Sequence, residues 1–333
     1  MSLPVLQPVR RRRRRRSRLP RFLVVTLFVI LVGLTLAWTY ARHGGNGTRG
    51  AAAHAAPTKL GKPQRTSAQR ARTRERNLLL GRARVTTPFN PPLSARAAIV
   101  VAAKTGQVIW AAAPTKRLQI ASTTKIMTAH LVLEHLKLKS IVHVDPAVTR
   151  VPLVKEGLRP GEPVPVWKLL DGLLLYSGND DALALAVGTS GSRPAFVRLM
   201  NAEARRLHLE NTHFRSPSGV IDRDNYSTAA DLAALTRVAL RDPRFRAIVR
   251  QRVARVSWAA PTYAKVYVNK NRLLTLYPGA NGVKTGWTTE AGHTLVASAT
   301  RHHETLIAVV LHSDRPYNDA ARLLNLGFKT QTR

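Results

Sequence analysis

Nine arginines followed by nineteen residues without a single charge constrain this chain more than any other feature. Arg10 to Arg16 is an unbroken run, Arg18 and Arg21 follow, and residues 22–40 read FLVVTLFVILVGLTLAWTY. As a helix at about 1.5 Å per residue this segment spans roughly 28 Å, close to the hydrocarbon thickness of a bilayer. Trp38 and Tyr40 stand at its far end, where interfacial aromatics belong. A buried core helix rarely follows such an arginine run. Short positive flanks stay in the cytoplasm, so everything after Tyr40 is expected to face outward. The expected organisation is a cytoplasmic Arg-rich tail (1–21), a transmembrane signal-anchor (22–40), a basic linker (41–92) and one folded domain (93–333). That makes a single-pass cell-membrane protein with its folded domain extracytoplasmic. A cleaved signal peptide, which would leave the protein secreted, is the rival reading. Against it, the apolar run is longer than a usual signal core and the first Ala-rich stretch, Ala51 to Ala56, comes late.

Net charge is +35. Residues 1–84 hold 18 Arg, two Lys and one acid, Glu75, so +19 lies there and +16 on the remaining 249 residues. Such a balance calls for an anionic partner: nucleic acid, a lipid surface or an acidic polymer. Beside a membrane span the arginine run is an orientation signal, so no specific nucleic acid is expected. The linker, rich in Gly, Ala, Thr, Arg and Pro, lacks helical or strand periodicity over most of its length and is expected to be disordered. With no cysteine in the chain, disulfides, thiolate catalysis and Cys-ligated zinc are excluded.

From about Leu93 the texture becomes that of a core. Residues 97–101 and 107–111 are short apolar runs around Lys104-Thr105-Gly106, a strand–turn–strand pattern. Helical periodicity follows over 122–136, 166–175 (Leu169, Leu170, Leu173 and Leu174 on one face), from Asn179, over 193–207 and over 228–240. Strand signals return at 253–258 and 282–287. Residues 294–299 and 305–311 are near-continuous apolar runs expected to be central strands, and 318–326 closes as an amphipathic helix. Strands at both ends with helices between predict one mixed α/β domain whose sheet joins the chain's beginning and end.

Three short motifs carry chemistry. Ser122-Thr123-Thr124-Lys125 is the only S-x-x-K. If Ser122 opens a helix, Lys125 lies one turn on at i+3, and its amine can take the serine's proton. A helix start also leaves backbone N–H groups for an oxyanion. Taken alone, Ser as an N-cap with an exposed Lys explains the motif as well. Ser177-Gly178-Asn179 is the only S-x-N; alone it makes a good turn and N-cap. As a cleft wall, Ser177 would relay a proton to a leaving amine, and Asn179 would bind the substrate amide and orient the lysine. Lys-Thr-Gly occurs at 104–106, read as turn chemistry, and at 284–286, on a late strand. There Lys284 supplies charge, Thr285 binds a carboxylate and Gly286 admits the substrate backbone. Each motif is weak, but their order and domain-scale spacing form the set used by class A β-lactamases and penicillin-binding proteins.

The phrases IASTTKIMTA, LLLYSGNDDALALA, NTHFRSPSGV, NYSTAADLA and PGANGVKTGWTTEAGHTLVASA closely resemble the low-molecular-mass D-alanyl-D-alanine carboxypeptidases of peptidase family S11, from about Ala97 to Phe328. The resemblance implies a β-lactamase/transpeptidase-like α/β fold, an antiparallel sheet flanked by helices with a helical lobe. It implies that Ser122 attacks the penultimate D-Ala carbonyl of peptidoglycan stem peptides. Lys125 is then the base, its pKa lowered by burial and by Lys284, and Ser177 and Asn179 form the opposite wall. The oxyanion would lie on the N–H groups of Ser122 and Trp287, and the terminal carboxylate on Thr285 and Arg315. β-Lactam antibiotics become expected covalent inhibitors, and neither metal nor cofactor is called for. One departure is Ala102-Ala103, where many relatives carry an acid near the first strand's end. Another is the lack of a further β-rich domain and C-terminal membrane helix, which the N-terminal span is expected to replace.

Four rival functions share parts of this pattern. A β-lactamase needs a deacylating glutamate; Glu203 falls inside a predicted helix, and Glu210 sits in the carboxypeptidase phrase LENTHF. A D,D-endopeptidase would use the same residues. A penicillin-sensing or wall-binding domain is disfavoured because every polar motif residue is intact. A metalloprotease fits poorly, since HLVLEH (130–135) has one residue too many for H-x-x-E-H and His302-His303 lacks a helical partner.

Overall fold

The structure is a computed structural model describing residues 91–220, 224–258 and 263–331. The expected tail, anchor and linker therefore lie, up to residue 90, outside the described residues. No helix among the described residues is long and apolar enough to cross a membrane.

β1 (Ala97–Ala102) and β2 (Val108–Ala112) form the expected hairpin, turned through Gly106 at φ +76°. After the short β3 (Leu118–Gln119) a 3-10 turn (Ala121–Thr124) runs directly into α1 (Lys125–His135). The helix expected from Ser122 thus begins as a tighter spiral, and Ser122 caps neither segment through its side chain. α1 is buried all round from Lys125 to Leu133, as a helix at the centre of a core must be. β4 (Ile141–His143) and β5 (Pro163–Pro165) pair at the base of a long loop. α2 (Val166–Asp171) continues as a π-helical turn (Gly172–Tyr176), with Leu169, Leu170, Leu173 and Leu174 buried as the periodicity predicts. α3 (Asn179–Ser190), α4 (Arg193–Arg206), β6 (Tyr226–Ser227), α5 (Ala229–Ala239) and α6 (Pro243–Val249) complete the helical lobe. Ser192, Thr228 and Asp242 cap α4, α5 and α6, each accepting a backbone N–H from the first turn.

The strand signal at 253–258 resolves into β7 (Val253–Val256), which among the described residues pairs only with β8 (Lys265–Val268), as a separate ribbon. It is not part of the main sheet: alternate residues face solvent, so the ribbon has one buried face. A short α7 (Leu273–Leu276) precedes β9 (Ala280–Thr288), β10 (Gly292–Arg301), β11 (Glu304–Ser313) and α8 (Pro316–Gln331).

The main sheet has the order β2-β1-β11-β10-β9 and is antiparallel throughout, with Ala97 opposite Leu311 and Lys284 opposite Val296. Beginning and end of the domain therefore meet as neighbouring strands. One face, through Ile99, Val101, Val296, Ile307 and Val309, packs on the helical lobe. The other, through Val100, Leu295, Ala297 and Ala308, packs on Ala320, Leu323, Leu324 and Phe328 of α8. Cover on both faces is why β10 and β11 are continuous apolar runs instead of alternating ones.

Candidate active site

Ser122 sits at the seam between sheet and helical lobe. In a 3-10 turn residues i and i+3 nearly eclipse, so Lys125 stacks against Ser122, and Lys125 Nζ donates to Ser122 Oγ at 3.0 Å. The same ammonium contacts Ser177 O at 3.2 Å, Ser177 Oγ at 3.3 Å and Asn179 Oδ1 at 2.8 Å. The first two motifs, 52 to 54 residues apart, thus converge on one buried amine. Ser177 closes the π-helical turn at φ +72°, a left-handed conformation that a non-glycine residue adopts only under local constraint. That geometry aims its hydroxyl back at Lys125. Neither serine is an N-cap: the cap of α3 is Gly178, and no side chain bonds there.

Asn179 is almost fully buried and uses both ends of its amide. Oδ1 accepts from Lys125, and Nδ2 donates to Pro152 O at 3.1 Å. Orientation of the lysine is thus built in, and one amide N–H remains for a ligand.

β9 supplies the opposite wall. A Cβ added to Gly286 would lie 2.5 Å from Thr294 Oγ1, 2.9 Å from Ser122 N and 3.0 Å from Ile120 O. The side of this glycine on which a Cβ would project is filled by the serine's own segment. Glycine here lets β9 press against the 3-10 turn. Lys284 is buried, and its Nζ donates to Thr285 O at 3.1 Å. Thr285 is half-buried, and Trp287, exposed, lies with its ring centroid 6.1 Å from that of His293. Arg315, exposed, follows β11 at the same end of the sheet as Trp287, two strands away, since Ser313 pairs with His293 and His293 with Trp287. Its backbone N–H donates to Ser94 and Ser313 hydroxyls. No hydrogen bond among the described residues joins its side chain to Ser122, Lys125 or Lys284.

Burial brings the Lys125 amine down from the ordinary lysine value to about 7; Asp181 and Asp180 oppose the shift and Lys270 reinforces it. Lys284 is held well below the ordinary value, by burial first and then by Lys125 and Lys270. Lys284, the expected second cation, and Lys125 thus repel one another, and Lys270 adds a further like charge that depresses both. This residue belongs to no motif and carries its ammonium 4.7 Å above the Tyr176 ring. Only the tertiary fold brings it to the site.

Behind Asn179 lies an acidic layer that sequence reasoning also missed. The Asp180 carboxylate accepts the backbone N–H groups of Glu156, Gly157 and Leu158 at 2.8, 2.8 and 3.2 Å, pinning their loop to the start of α3. Burial, with Glu156 next in weight, holds the Asp181 carboxyl well above its ordinary value. Glu156 is in turn bonded to Tyr267 and paired with Lys265. Two acids in a row after S-x-N were the available signal.

Glu203 lies in α4, away from Ser122, accepting from Arg206 and bonded to His130. Burial pushes its carboxyl up, but the bonds and charges of His130 and Arg206 win and bring it to about 2, a poor base for deacylation. His130, Glu134 and Glu203 form a compact group, but Arg206 takes both Glu203 oxygens, so the group is an ion-pair network. His302 and His303 occupy the β10–β11 turn, both at positive φ.

Residues 84–315 match the family of D-alanyl-D-alanine carboxypeptidases, Peptidase_S11. The D-alanyl-D-alanine carboxypeptidase DacF of Bacillus subtilis is 35% identical over 239 residues, covering 70% of this chain and 61% of its own. DacC of Escherichia coli is 36% identical over 256 residues, covering 72% and 62%. The D-alanyl-D-alanine carboxypeptidase of Streptomyces sp. K15 is 35% identical over 272 residues, covering 75% and 92%. The chain thus spans about three fifths of the length of the first two relatives. The crystal structure of the Streptomyces K15 DD-transpeptidase superposes with a TM-score of 0.68 at 34% identity, over 72% of this chain and 99% of that one. The D-alanyl-D-alanine carboxypeptidase of Mycobacterium tuberculosis H37Rv gives 0.70 at 32%, over 74% and 96%.

Proposed function

This chain belongs to the D-alanyl-D-alanine carboxypeptidase family, Peptidase_S11, and from that membership we propose that it is a serine-type D-Ala-D-Ala carboxypeptidase acting on peptidoglycan stem pentapeptides. The observation that carries the reading is the Lys125 amine: fully buried, 3.0 Å from Ser122 Oγ, and brought to about 7. Such an amine is half neutral near pH 7 and able to act as a base.

In the first step Ser122 Oγ attacks the penultimate D-Ala carbonyl while its proton passes to Lys125. The oxyanion rests on the N–H groups of Ser122 and Trp287. Lys284 and Thr285 face the substrate from β9, and Arg315 is the candidate for the terminal carboxylate. The C–N bond then breaks, an ester forms on Ser122, and the proton moves through Ser177 to the departing D-Ala amine. In the second step water, deprotonated by Lys125, cleaves the ester and restores the serine. β-Lactams would enter the first step and stall before the second.

An acyl-enzyme can also be taken by an amine, and the similarity to a structure named a DD-transpeptidase makes that partition a measurable alternative. The proposed setting is extracytoplasmic, on a single N-terminal membrane anchor over residues 22–40, supported by the uncharged run behind nine arginines.

The test compares wild type with Ser122→Ala, using labelled benzylpenicillin, a pentapeptide ending in D-Ala-D-Ala, and a cross-linked dimer. Stable labelling with D-Ala release, both abolished in the variant, is the expected result. Rapid penicillin turnover would point to a β-lactamase, labelling without cleavage to a sensor, and cleavage of the dimer alone to an endopeptidase.

A further inference from the structure

At the end of the sheet opposite the serine, a cavity of about 610 Å³ opens among the β1–β2 turn, the C-termini of α5 and α6, and the β10–β11 turn. Lys104, Arg237, Arg241, Arg246, Arg250 and His303 line it, and no acid among the described residues does. Lys104 belongs to the first Lys-Thr-Gly triplet, the copy that the catalytic reading leaves unused. Asn281, on its floor, is four residues before Thr285 on β9, about 13 Å at strand rise. The cavity is therefore separate from the cleft.

Two of its cations hold the frame. Arg237, 7% exposed, donates to Ala103 O and Lys104 O, and Arg246 donates to Leu240 O and Arg241 O. Burial and the nearby Arg241 lower the pKa of Arg237, so the cluster is electrostatically costly as it stands. Lys104, Arg241 and Arg250 are exposed, and none is within ion-pair reach of a carboxylate among the described residues. A concave, single-sign site focuses potential on an anion, and guanidinium forks match phosphate oxygens. The volume lies in the range of sites that take small molecules or polymer segments.

We propose that this cavity is a binding site for phosphodiester groups of a soluble anionic polymer. A bilayer headgroup is the weaker fit, because none of the exposed large hydrophobic side chains lines the rim to enter a membrane. Nucleic acid is also the weaker fit, since no Trp, Tyr or Phe among the described residues is there for bases to stack upon.

Thermal unfolding of the full chain in detergent, with and without synthetic poly(glycerol phosphate), tests this. Polymer held by the N-terminal arginines binds folded and unfolded chain alike and largely cancels, so the shift reads binding to the fold. With phosphate in hundredfold excess over Kd, Tm should rise by roughly 5–10 °C. The double variant Arg241→Gln/Arg250→Gln should lose most of that shift. Arg198→Gln/Arg255→Gln, the same charge change at exposed positions outside the cavity, should keep it. The proposal is overturned by any of three results. These are no shift in wild type at 0.15 M salt, equal loss in both double variants, or a larger shift with phosphatidylglycerol vesicles than with polymer at matched phosphate.

Discussion

Titrating the protein between pH 6 and 8 should titrate its reactivity. With the Lys125 amine at about 7, the neutral fraction is roughly 10% at pH 6, 50% at pH 7 and 90% at pH 8. An ordinary lysine at about 10.4 offers only about 0.04% neutral amine at pH 7. The buried setting thus raises the supply of base by about a thousandfold, equivalent to about 4 kcal/mol of barrier. The sign follows from the chemistry: the base works deprotonated, so acylation rises with pH through 7 and then levels. The assay is the second-order rate of acylation by labelled benzylpenicillin in stopped flow, at fixed ionic strength. Lys270→Gln removes a like charge that depresses Lys125 and should move the midpoint to higher pH, slowing acylation at pH 6 more than at pH 9. Lys125→Arg, always protonated, should lose at least a thousandfold at every pH. A rate flat from pH 6 to 8, or a Lys270→Gln midpoint displaced towards acid, would refute the assignment of Lys125 as the base.

Gly286→Ala forces a methyl group against Thr294 Oγ1 and the Ser122 backbone. Overpacking of this kind costs about 1–3 kcal/mol, and an ångström of displacement at the nucleophile costs about a hundredfold in rate; wild-type Tm and acylation together would contradict it. Asp180→Ala strips three backbone N–H groups of their acceptor. A loss of about 2–4 kcal/mol in urea unfolding is expected, with slower acylation because Asn179 adjoins the freed loop. Asp319→Ala removes the carboxylate that accepts from the Ser94 backbone and the Ser94 and Ser313 hydroxyls. It should cost about 2–3 kcal/mol while leaving the pH midpoint of acylation in place.

What the sequence discloses and what it hides divide along physical lines. The apolar runs of β10 and β11 and the periodicity of α2 are local signals of burial, and the structure matches them. Lys125 beside Ser122 follows from a three-residue spacing that helix and 3-10 turn both satisfy. Residues 253–258 carry a genuine strand signal, but β-propensity does not say which strand will be the partner, and the ribbon with β8 stands apart. α6 hid behind its brevity, although Asp242-Pro243 is a good helix start. Lys270 leaves no local trace, and the Glu156–Asp181 layer leaves only the Asp180-Asp181 pair, because burial and charge proximity exist only after the chain has folded. Gly286 was legible as a site of close approach; what approaches it was not.

The middle of the sheet is supplied by a segment about 200 residues further along the chain than its neighbour β1. Until β11 exists, β1 can pair only with β2, and β10 lacks the neighbour that links it to the start of the domain. A nascent domain therefore carries the serine and its lysine long before the wall bearing Lys284 can be seated against them. Reactivity should switch on in a single step once β11 is made, so chains interrupted before residue 304 would take up no penicillin, however complete their helical lobe.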